Sequence, residues 1–155
     1  MAEYNIQNIQ TAKDAISEGE ANFTEYMRVV MNSETFLVPV NRVLSILRPV
    51  RLTPVPMAPD HLLGVANIRG QVFCVIDPGK TLRLPHKRKD ESTHSRFMLL
   101  RHARVHLGVW VEEVLDLHRV PTPDEVDGES RAYEAASVET PHGVLPVLRV
   151  DALFD

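Results

Sequence analysis

The chain has 155 residues, of which 44% are hydrophobic and 25% are charged, and its formal net charge is −4. These values are ordinary for a globular domain and exclude a disordered or collagen-like chain. The acidic balance argues against nucleic acid as a partner, because phosphate binding depends on clustered positive charge. The basic run Lys87-Arg88-Lys89 is offset at once by Asp90 and Glu91.

Membrane insertion and secretion find no support in the sequence. No apolar run approaches the roughly 20 residues needed to cross a bilayer. The first twenty residues lack both the basic start and the apolar core of a signal peptide, so we expect a cytoplasmic location. The single cysteine, Cys74, has no internal disulfide partner and is expected to be a small buried hydrophobe.

The first part of the chain predicts a tail followed by β-structure. Residues 1–22 are polar with isoleucines at near-helical spacing, which predicts an N-terminal tail or short helix before a domain over 23–155. Residues 26–31 and 35–40 predict a first hairpin around a polar turn. Residues 41–48 fit either a helical turn or a bent strand, because periodicity cannot separate the two.

A proline-rich connection then leads to the strongest hairpin of the sequence. The prolines between residues 49 and 61 hold the backbone extended and remove hydrogen-bond donors. Leu63–Arg69 and Val72–Asp77 are separated by Gly70-Gln71, which predicts a type II′ turn with Gly70 in its first central position. Both strands carry apolar residues on both faces, so we expect them to lie deep in the fold rather than at an edge.

The remainder repeats this rhythm after a polar stretch, 78–95, which predicts a surface crossover between two halves of the domain. About ten strands separated by turn residues are typical of a small barrel or sandwich. The predicted elements of the second half are a hairpin of 97–102 with 105–111, a strand at 114–120, an acidic loop at 121–128, a hairpin of 133–140 with 144–148, and a helical turn at 150–154.

Candidate catalytic motifs are weak. The Gly79-Lys80-Thr81 tail of a phosphate loop lacks its first glycine, since Cys74 occupies that position. Of the seven histidines only His102 and His106 are close in sequence, and neither has a cysteine or paired acid nearby, so no metal site is predicted. The residues therefore favour a non-enzymatic binding module without a cofactor. Its candidate contact residues are exposed apolar side chains in turns, namely Val43, Leu44, Val55 and Met57.

The stretch from Phe36 to Asp77 resembles the CheW-like domain family. Residues 64–70, Gly-Val-Ala-Asn-Ile-Arg-Gly, match the family signature Gly-Val-x-Asn-Leu/Ile-Arg-Gly throughout. The likeness extends through GVWVEEVLDL and VLPVLRVDALF, and runs from about residue 24 to the end. It implies an all-β fold with minor helix, built as two packed five-stranded SH3-like β-barrels without an active site.

The resemblance also implies a function and a set of contact residues. Members of the family couple the cytoplasmic tip of a chemoreceptor to the regulatory domain of a CheA-type histidine kinase, which is itself CheW-like. Other CheW-like domains are further candidate partners. In the family a receptor helix lies in a groove between the barrels, near the arginine of the hairpin. The partner-binding residues implied for this chain are Arg69, with Asn67 and Gly70 beside it, and Val43, Leu44 and Ser45 on the facing segment.

Two departures from the family pattern indicate a divergent member, of the kind found in twitching-motility or other alternative chemosensory systems. Ser45 stands where many members carry a glutamate thought to partner the hairpin arginine, and a serine cannot form that ion pair. Pro78 follows Asp77 where many members have Leu-Arg, and it removes a backbone donor.

A second interpretation stays open at this point. A β-barrel of this size can also bind a small molecule or second messenger. In that case the histidines, with Arg96, Arg101 and Arg104, would receive an anion.

Overall fold

The computed structural model describes residues 22–85, 90–123 and 132–154. Within these ranges the chain forms ten strands in two five-stranded sheets, which confirms the predicted all-β class. The predicted N-terminal tail or helix at 1–22 lies almost entirely outside the described residues. The strands are β1 (Phe23–Met31), β2 (Glu34–Pro39), β3 (Val43–Leu47), β4 (Leu62–Ile68), β5 (Gln71–Ile76), β6 (Arg96–Leu100), β7 (Leu107–Val111), β8 (Glu113–Pro121), β9 (Glu134–Thr140) and β10 (Gly143–Leu148).

The two sheets divide the chain into its middle and its ends. The first sheet has the order β8-β1-β2-β10-β9, and the second has the order β3-β6-β7-β5-β4. Neighbouring strands are antiparallel except for the pairs β2–β10 and β5–β7. A short 3-10 turn, Val40–Arg42, carries the chain from the first sheet into the second. The segment 41–48 is therefore the end of a turn followed by a bent strand.

The polar stretch 78–95 does not separate two halves, so that prediction was wrong. It connects β5 to β6, which both belong to the second sheet. Its first residues form a helix, α1 (Pro78–Leu82), rather than a loop. The backbone N–H of Gly79 donates to the carboxylate of Asp77 at 3.0 Å, and Pro78 occupies the first turn, where its missing donor costs nothing. A polar, proline-containing composition predicts that a segment connects two strands. It does not predict which sheet those strands join.

The turn between β1 and β2 is tight, and the first of its two central residues is buried. Its central residues, Asn32 and Ser33, have φ values of +51° and +64°, which are the two positive angles of a type I′ hairpin turn. Asn32 is only 5% exposed. The backbone N–H of Ser33 donates to the Oε2 atom of Glu112 at 3.1 Å, so a residue after β7 holds the turn in place.

β4 is an edge strand of the second sheet, so the prediction that both strands of its hairpin lie away from an edge was wrong for β4. The proline segment covers its free edge. Thr53 and Val65 exchange two backbone hydrogen bonds, of 2.8 and 2.9 Å. The close approach depends on Gly64, because a Cβ atom there would lie 2.8 Å from the carbonyl oxygen of Thr53. Covering an edge in this way limits unwanted pairing with other chains.

The largest hydrophobic cluster joins the two sheets. It contains Val29, Phe36 and Val38 of the first sheet with Met98 and Val109 of the second, and the closing 3-10 turn Val150–Phe154 contributes Leu153. That turn agrees with the predicted helical turn at 150–154. A smaller cluster around Tyr26, Leu37 and Val147 lies on the other face of the first sheet.

Each sheet is open rather than a closed barrel. Among the described residues no ladder joins β8 to β9 or β3 to β4, which are the edge strands of the two sheets. No helix in these ranges has the length and apolar character needed to cross a bilayer.

Candidate partner-binding surface

The β4–β5 turn presents Arg69 at its tip. Ile68 pairs with Gln71, so the two central residues are Arg69 and Gly70, with φ values of +52° and +83°. The turn is therefore type I′, and the predicted type II′ turn around Gly70-Gln71 was wrong by one residue. A glycine satisfies the positive φ of either turn type, and the glycine alone did not fix the register.

A side chain of the same hairpin, that of Asn67, holds the conformation of this turn. The Oδ1 atom of Asn67 accepts a hydrogen bond of 3.0 Å from the backbone N–H of Gly70. Short polar side chains commonly stabilise turns in this way. Asn67, Arg69 and Gly70 are all exposed, and Val72 beside them is 57% exposed.

Arg69 has no partner within the described parts of the chain. No hydrogen bond or ion pair joins its guanidinium to any residue in 22–85, 90–123 or 132–154. An arginine that merely neutralised an acid on its own surface would show such a pair. The planar guanidinium is instead available to hold a carboxylate from another molecule.

The other predicted contact residues lie at the start of β3. Leu44 sits in a bulge, since Val43 pairs with Leu100 and Ser45 with Leu99. The bulge turns Leu44 outward, where it is 46% exposed. Val43 is half-buried and packs against the large cluster between the sheets, and Ser45 is also half-buried. The segment therefore offers one apolar side chain, Leu44, to a partner.

The two predicted groups are not brought into contact. β3 and β4 are opposite edges of the second sheet, and no hydrogen bond in the described chain joins Val43, Leu44 or Ser45 to Arg69. The strands that carry the two groups contact the same hydrophobic cluster, because Leu47 at the end of β3 packs against the one that contains Ala66 and Ile68 of β4.

The proline segment adds an apolar surface to the same sheet. Met57 is fully exposed with a φ of +59°, and Val50 and Val55 are each 40% exposed. The start of the segment forms one wall of an open groove of about 480 Å³ whose floor includes Phe97 and Trp110. Val55 and Met57, which the sequence indicated as contact residues, are thus available to a partner.

Buried carboxylates in the described chain have structural tasks. Asp77 is 4% exposed and caps α1, and Glu112 is 6% exposed and holds the β1–β2 turn. Cys74 is half-buried rather than fully buried and packs against the large cluster. These contacts give Asp77 and Glu112 structural roles.

The anion-binding alternative is not favoured by the positions of its arginines. Arg96 begins β6 and donates to the backbone carbonyls of Thr93 and Ser95, at 2.8 and 2.7 Å. Arg101 follows the other end of β6, and five residue steps along the strand place the two Cα atoms roughly 17 Å apart. The arginines therefore do not converge on one ligand.

Sequence spacing missed a polar cluster on the first sheet. Asp116 and His118 lie two residues apart on β8, and His142 reaches them from the β9–β10 turn. Arg28 binds the Asp116 carboxylate through two hydrogen bonds, of 2.8 and 3.0 Å. The Asp-x-His spacing on a strand was a usable signal, because alternate residues share a face. His142 is distant in sequence, so no spacing pattern indicated that it joins this cluster.

The electrostatics of this cluster are dominated by Arg28. Its hydrogen bond lowers the pKa of Asp116 to about 2, and the charges of Arg28 and His118 act in the same direction. The same contact raises the pKa of Arg28. Asp116 is therefore an anion throughout the physiological pH range.

The described residues thus form a two-sheet, all-β domain with an exposed arginine turn. The CheW-like domain family model matches residues 25–155. The chain belongs to this family, whose members are scaffold proteins of chemosensory systems.

Curated relatives are similar in sequence to this chain. It is 25% identical over 107 residues to the chemotaxis protein CheW of Helicobacter pylori, covering 69% of this chain and 64% of that protein. It is 26% identical over 132 residues to CheW of Bacillus subtilis, covering 81% of this chain and 83% of that protein. It is 36% identical over 87 residues to protein FrzA of Myxococcus xanthus, covering 56% of this chain and 53% of that protein. The matched region thus spans less than two thirds of the Helicobacter protein.

A solved structure supports the fold. The crystal structure of the scaffolding protein TtCheW from Thermoanaerobacter tengcongensis superposes with a TM-score of 0.71 and 20% identity, over 85% of this chain and 88% of that one. The two sheets of this chain therefore have the SH3-like arrangement implied by the sequence resemblance.

Proposed function

We propose that this chain is a non-enzymatic cytoplasmic adaptor that couples the cytoplasmic tip of a chemoreceptor to the regulatory domain of a CheA-type histidine kinase. Other CheW-like domains are further candidate partners. The proposal assigns this task to the domain over residues 23–155. Family membership supports it, and the observation that carries the site is the exposed guanidinium of Arg69, which has no partner among the described residues and lies on a turn held by the Asn67 hydrogen bond.

The proposed receptor contact has two parts with different physical roles. Arg69 supplies a directed charge that binds a carboxylate of the receptor helix, and arginine is enriched at the centres of interfaces. Leu44 and the exposed side chains of the proline segment supply apolar area, which gives affinity to a helix lying in a groove. Asn67 and Gly70 act indirectly, because they fix the position of Arg69.

The test is the substitution Arg69→Asn. It removes the guanidinium and creates Asn-Gly, the sequence most favoured in type I′ turns, so the hairpin should remain intact. We expect binding of a receptor-tip fragment to weaken about tenfold, as for a single charged contact at an interface centre. Isothermal titration calorimetry measures the affinity, and circular dichroism confirms the fold.

The matched control is Arg83→Asn. Arg83 is also exposed, has a left-handed φ of +55° and ends α1 on another part of the surface. It should bind the receptor fragment like the wild type. Equal affinity of Arg69→Asn and the wild type, with both folded, would remove Arg69 from the interface. Failure of the wild type to bind either the receptor tip or the kinase regulatory domain would contradict the adaptor function itself.

A further inference from the structure

The Asp116, His118 and His142 side chains form a convergent set of metal-ligand atoms outside the proposed partner surface. The carboxylate and imidazole atoms all lie within 4.8 Å of one another. The Oδ1 atom of Asp116 is 2.9 Å from Nε2 of His118, and its Oδ2 atom is 3.8 Å from Nε2 of His142. We propose that these three residues bind one divalent transition-metal ion, with Zn²⁺ the best match.

The separations suit a small tetrahedral ion. Bonds of about 2.0–2.1 Å to zinc place neighbouring ligand atoms about 3.3 Å apart, which lies between the two separations measured from Asp116. The two imidazole rings meet at 85° with centroids 5.6 Å apart. The site would form by rotation of these side chains, whose ligand atoms already lie within 4.8 Å of one another.

The ligand types select the class of ion. Two imidazoles and a carboxylate suit Zn²⁺ and neighbouring transition metals, whereas Mg²⁺ and Ca²⁺ require mostly oxygen ligands. Three protein ligands leave a fourth position for water, as in open zinc sites.

Arg28 sets the strength of the site. It holds the Asp116 carboxylate in a fixed orientation through two hydrogen bonds, which is a supporting contact of the kind that metal sites use. A carboxylate has about four lone-pair positions, so it can accept Arg28 and still bind a metal. The positive charge of Arg28 opposes the cation, and Asp116 and His142 are 42% and 44% exposed at their side chains. We therefore expect micromolar rather than structural-zinc affinity.

The site would join two edges of the first sheet. His118 and Asp116 lie on edge strand β8, while His142 lies in the turn beside edge strand β9 at the other end of the strand order. No backbone ladder links these edges in the described residues, and one ion would cross-link them. Metal binding to the native state then raises its stability.

The experiment uses the full chain, freed of any affinity tag and treated with a chelator. Titration with ZnCl₂ is followed by calorimetry, with thermal melting as a second measurement. We expect one saturable site and a higher melting temperature with zinc. His118→Gln and His142→Gln should each weaken zinc binding at least tenfold and abolish the shift in melting temperature.

Two controls separate this site from adventitious binding. His94→Gln removes an exposed histidine that lies 3.9 Å from Glu113 on the same strand as Asp116, and Cys74→Ser removes the thiol. Both should bind zinc like the wild type. Saturable binding that survives His142→Gln, equal losses in His94→Gln, or the lack of a saturable site would each overturn the proposal.

A measurement on the wild type covers the case in which a variant does not fold. Zinc should shift the imidazole NMR signals of His118 and His142 and leave those of His61 and His94 in place. Shifts spread over all four histidines would overturn the assignment.

Discussion

Two hairpin turns of this domain share a backbone conformation but differ in burial and in the residues that contact them. The β1–β2 turn at Asn32-Ser33 and the β4–β5 turn at Arg69-Gly70 are both type I′, with positive φ at both central residues. Asn32 is buried against Gly79, and Ser33 is bound by Glu112. Arg69 and Gly70 are exposed, and the hydrogen bond that holds their turn comes from within the same hairpin.

The difference shows how one local structure serves two purposes. Where a central residue of the turn is buried, the turn is bound by residues distant in sequence, and loss of those contacts should cost stability. Where the turn is exposed, its conformation is fixed locally, and the side chain at the tip is left for a partner. Burial, and not the turn type, therefore decides which turn is structural and which can bind.

The largest expected difference in stability comes from adding one methyl group to a glycine at each turn: Gly79 packs against the β1–β2 turn, and Gly70 is part of the β4–β5 turn. Gly79→Ala would place a Cβ atom where the Asn32 amide lies, and we expect a loss of about 3 kcal/mol in the free energy of unfolding. Gly70→Ala meets no atom within 4 Å, so only its positive φ is strained, at about 1 kcal/mol. Urea denaturation of both variants measures the difference. A Gly70→Ala loss as large as that of Gly79→Ala would contradict the comparison.

A smaller difference is expected when each turn loses its side-chain acceptor. Glu112→Ala removes the buried carboxylate that accepts the partly buried hydrogen bond of the Ser33 N–H, which should cost about 2 kcal/mol. Asn67→Ala frees the Gly70 N–H to bind water, at a cost of roughly 0.5 kcal/mol. The same denaturation experiment compares them, and equal losses would show that the β1–β2 turn is not held from outside.

The smallest effect concerns Asp116, an exposed carboxylate that contrasts with buried Glu112. Its pKa of about 2 lies below the value in an unfolded chain, mainly because Arg28 donates to it. The stabilisation is therefore complete above about pH 4 and is lost as the pH falls towards 2. Because the pair is exposed, Asp116→Asn should cost less than about 1 kcal/mol near pH 7.

Melting curves of the wild type and Asp116→Asn, recorded with chelator, should differ near neutral pH and converge in acid. Asp60→Asn is the matched control, since Asp60 is exposed and has no partner in the described chain. A difference between wild type and Asp116→Asn that persists unchanged in acid would exclude the Arg28 pair as its cause.

Local sequence patterns predicted most of the strands and turns. The hairpins at 63–77 and 133–148 and the closing turn were predictable because each depends on neighbouring residues and turn chemistry. The sheet partners were not predictable, because the pairing of β1 with β8 joins residues far apart in sequence. The one-residue error at Gly70 has the same origin: the position of the turn depends on which cross-strand pairs form.

The candidate site was predictable in part. The hairpin arginine came from a family signature, and its place in the partner contact stays a prediction. The Asp116, His118 and His142 cluster was missed because His142 is distant in sequence and lies near Asp116 only in the folded chain. A search by sequence spacing detects ligands on one strand and overlooks those that tertiary structure brings together.

The way the first sheet is assembled has a consequence for folding during synthesis. β1 and β2 leave the ribosome early, but their neighbours β8 and β10 are made last. The second sheet, built from the middle of the chain, can form while the first hairpin still lacks both of its flanking strands. Unpaired edges of this kind invite association with other chains. Synthesis of β8, β9 and β10 is thus the step that completes the first sheet, and slow translation of these strands would prolong the interval in which nascent copies can aggregate.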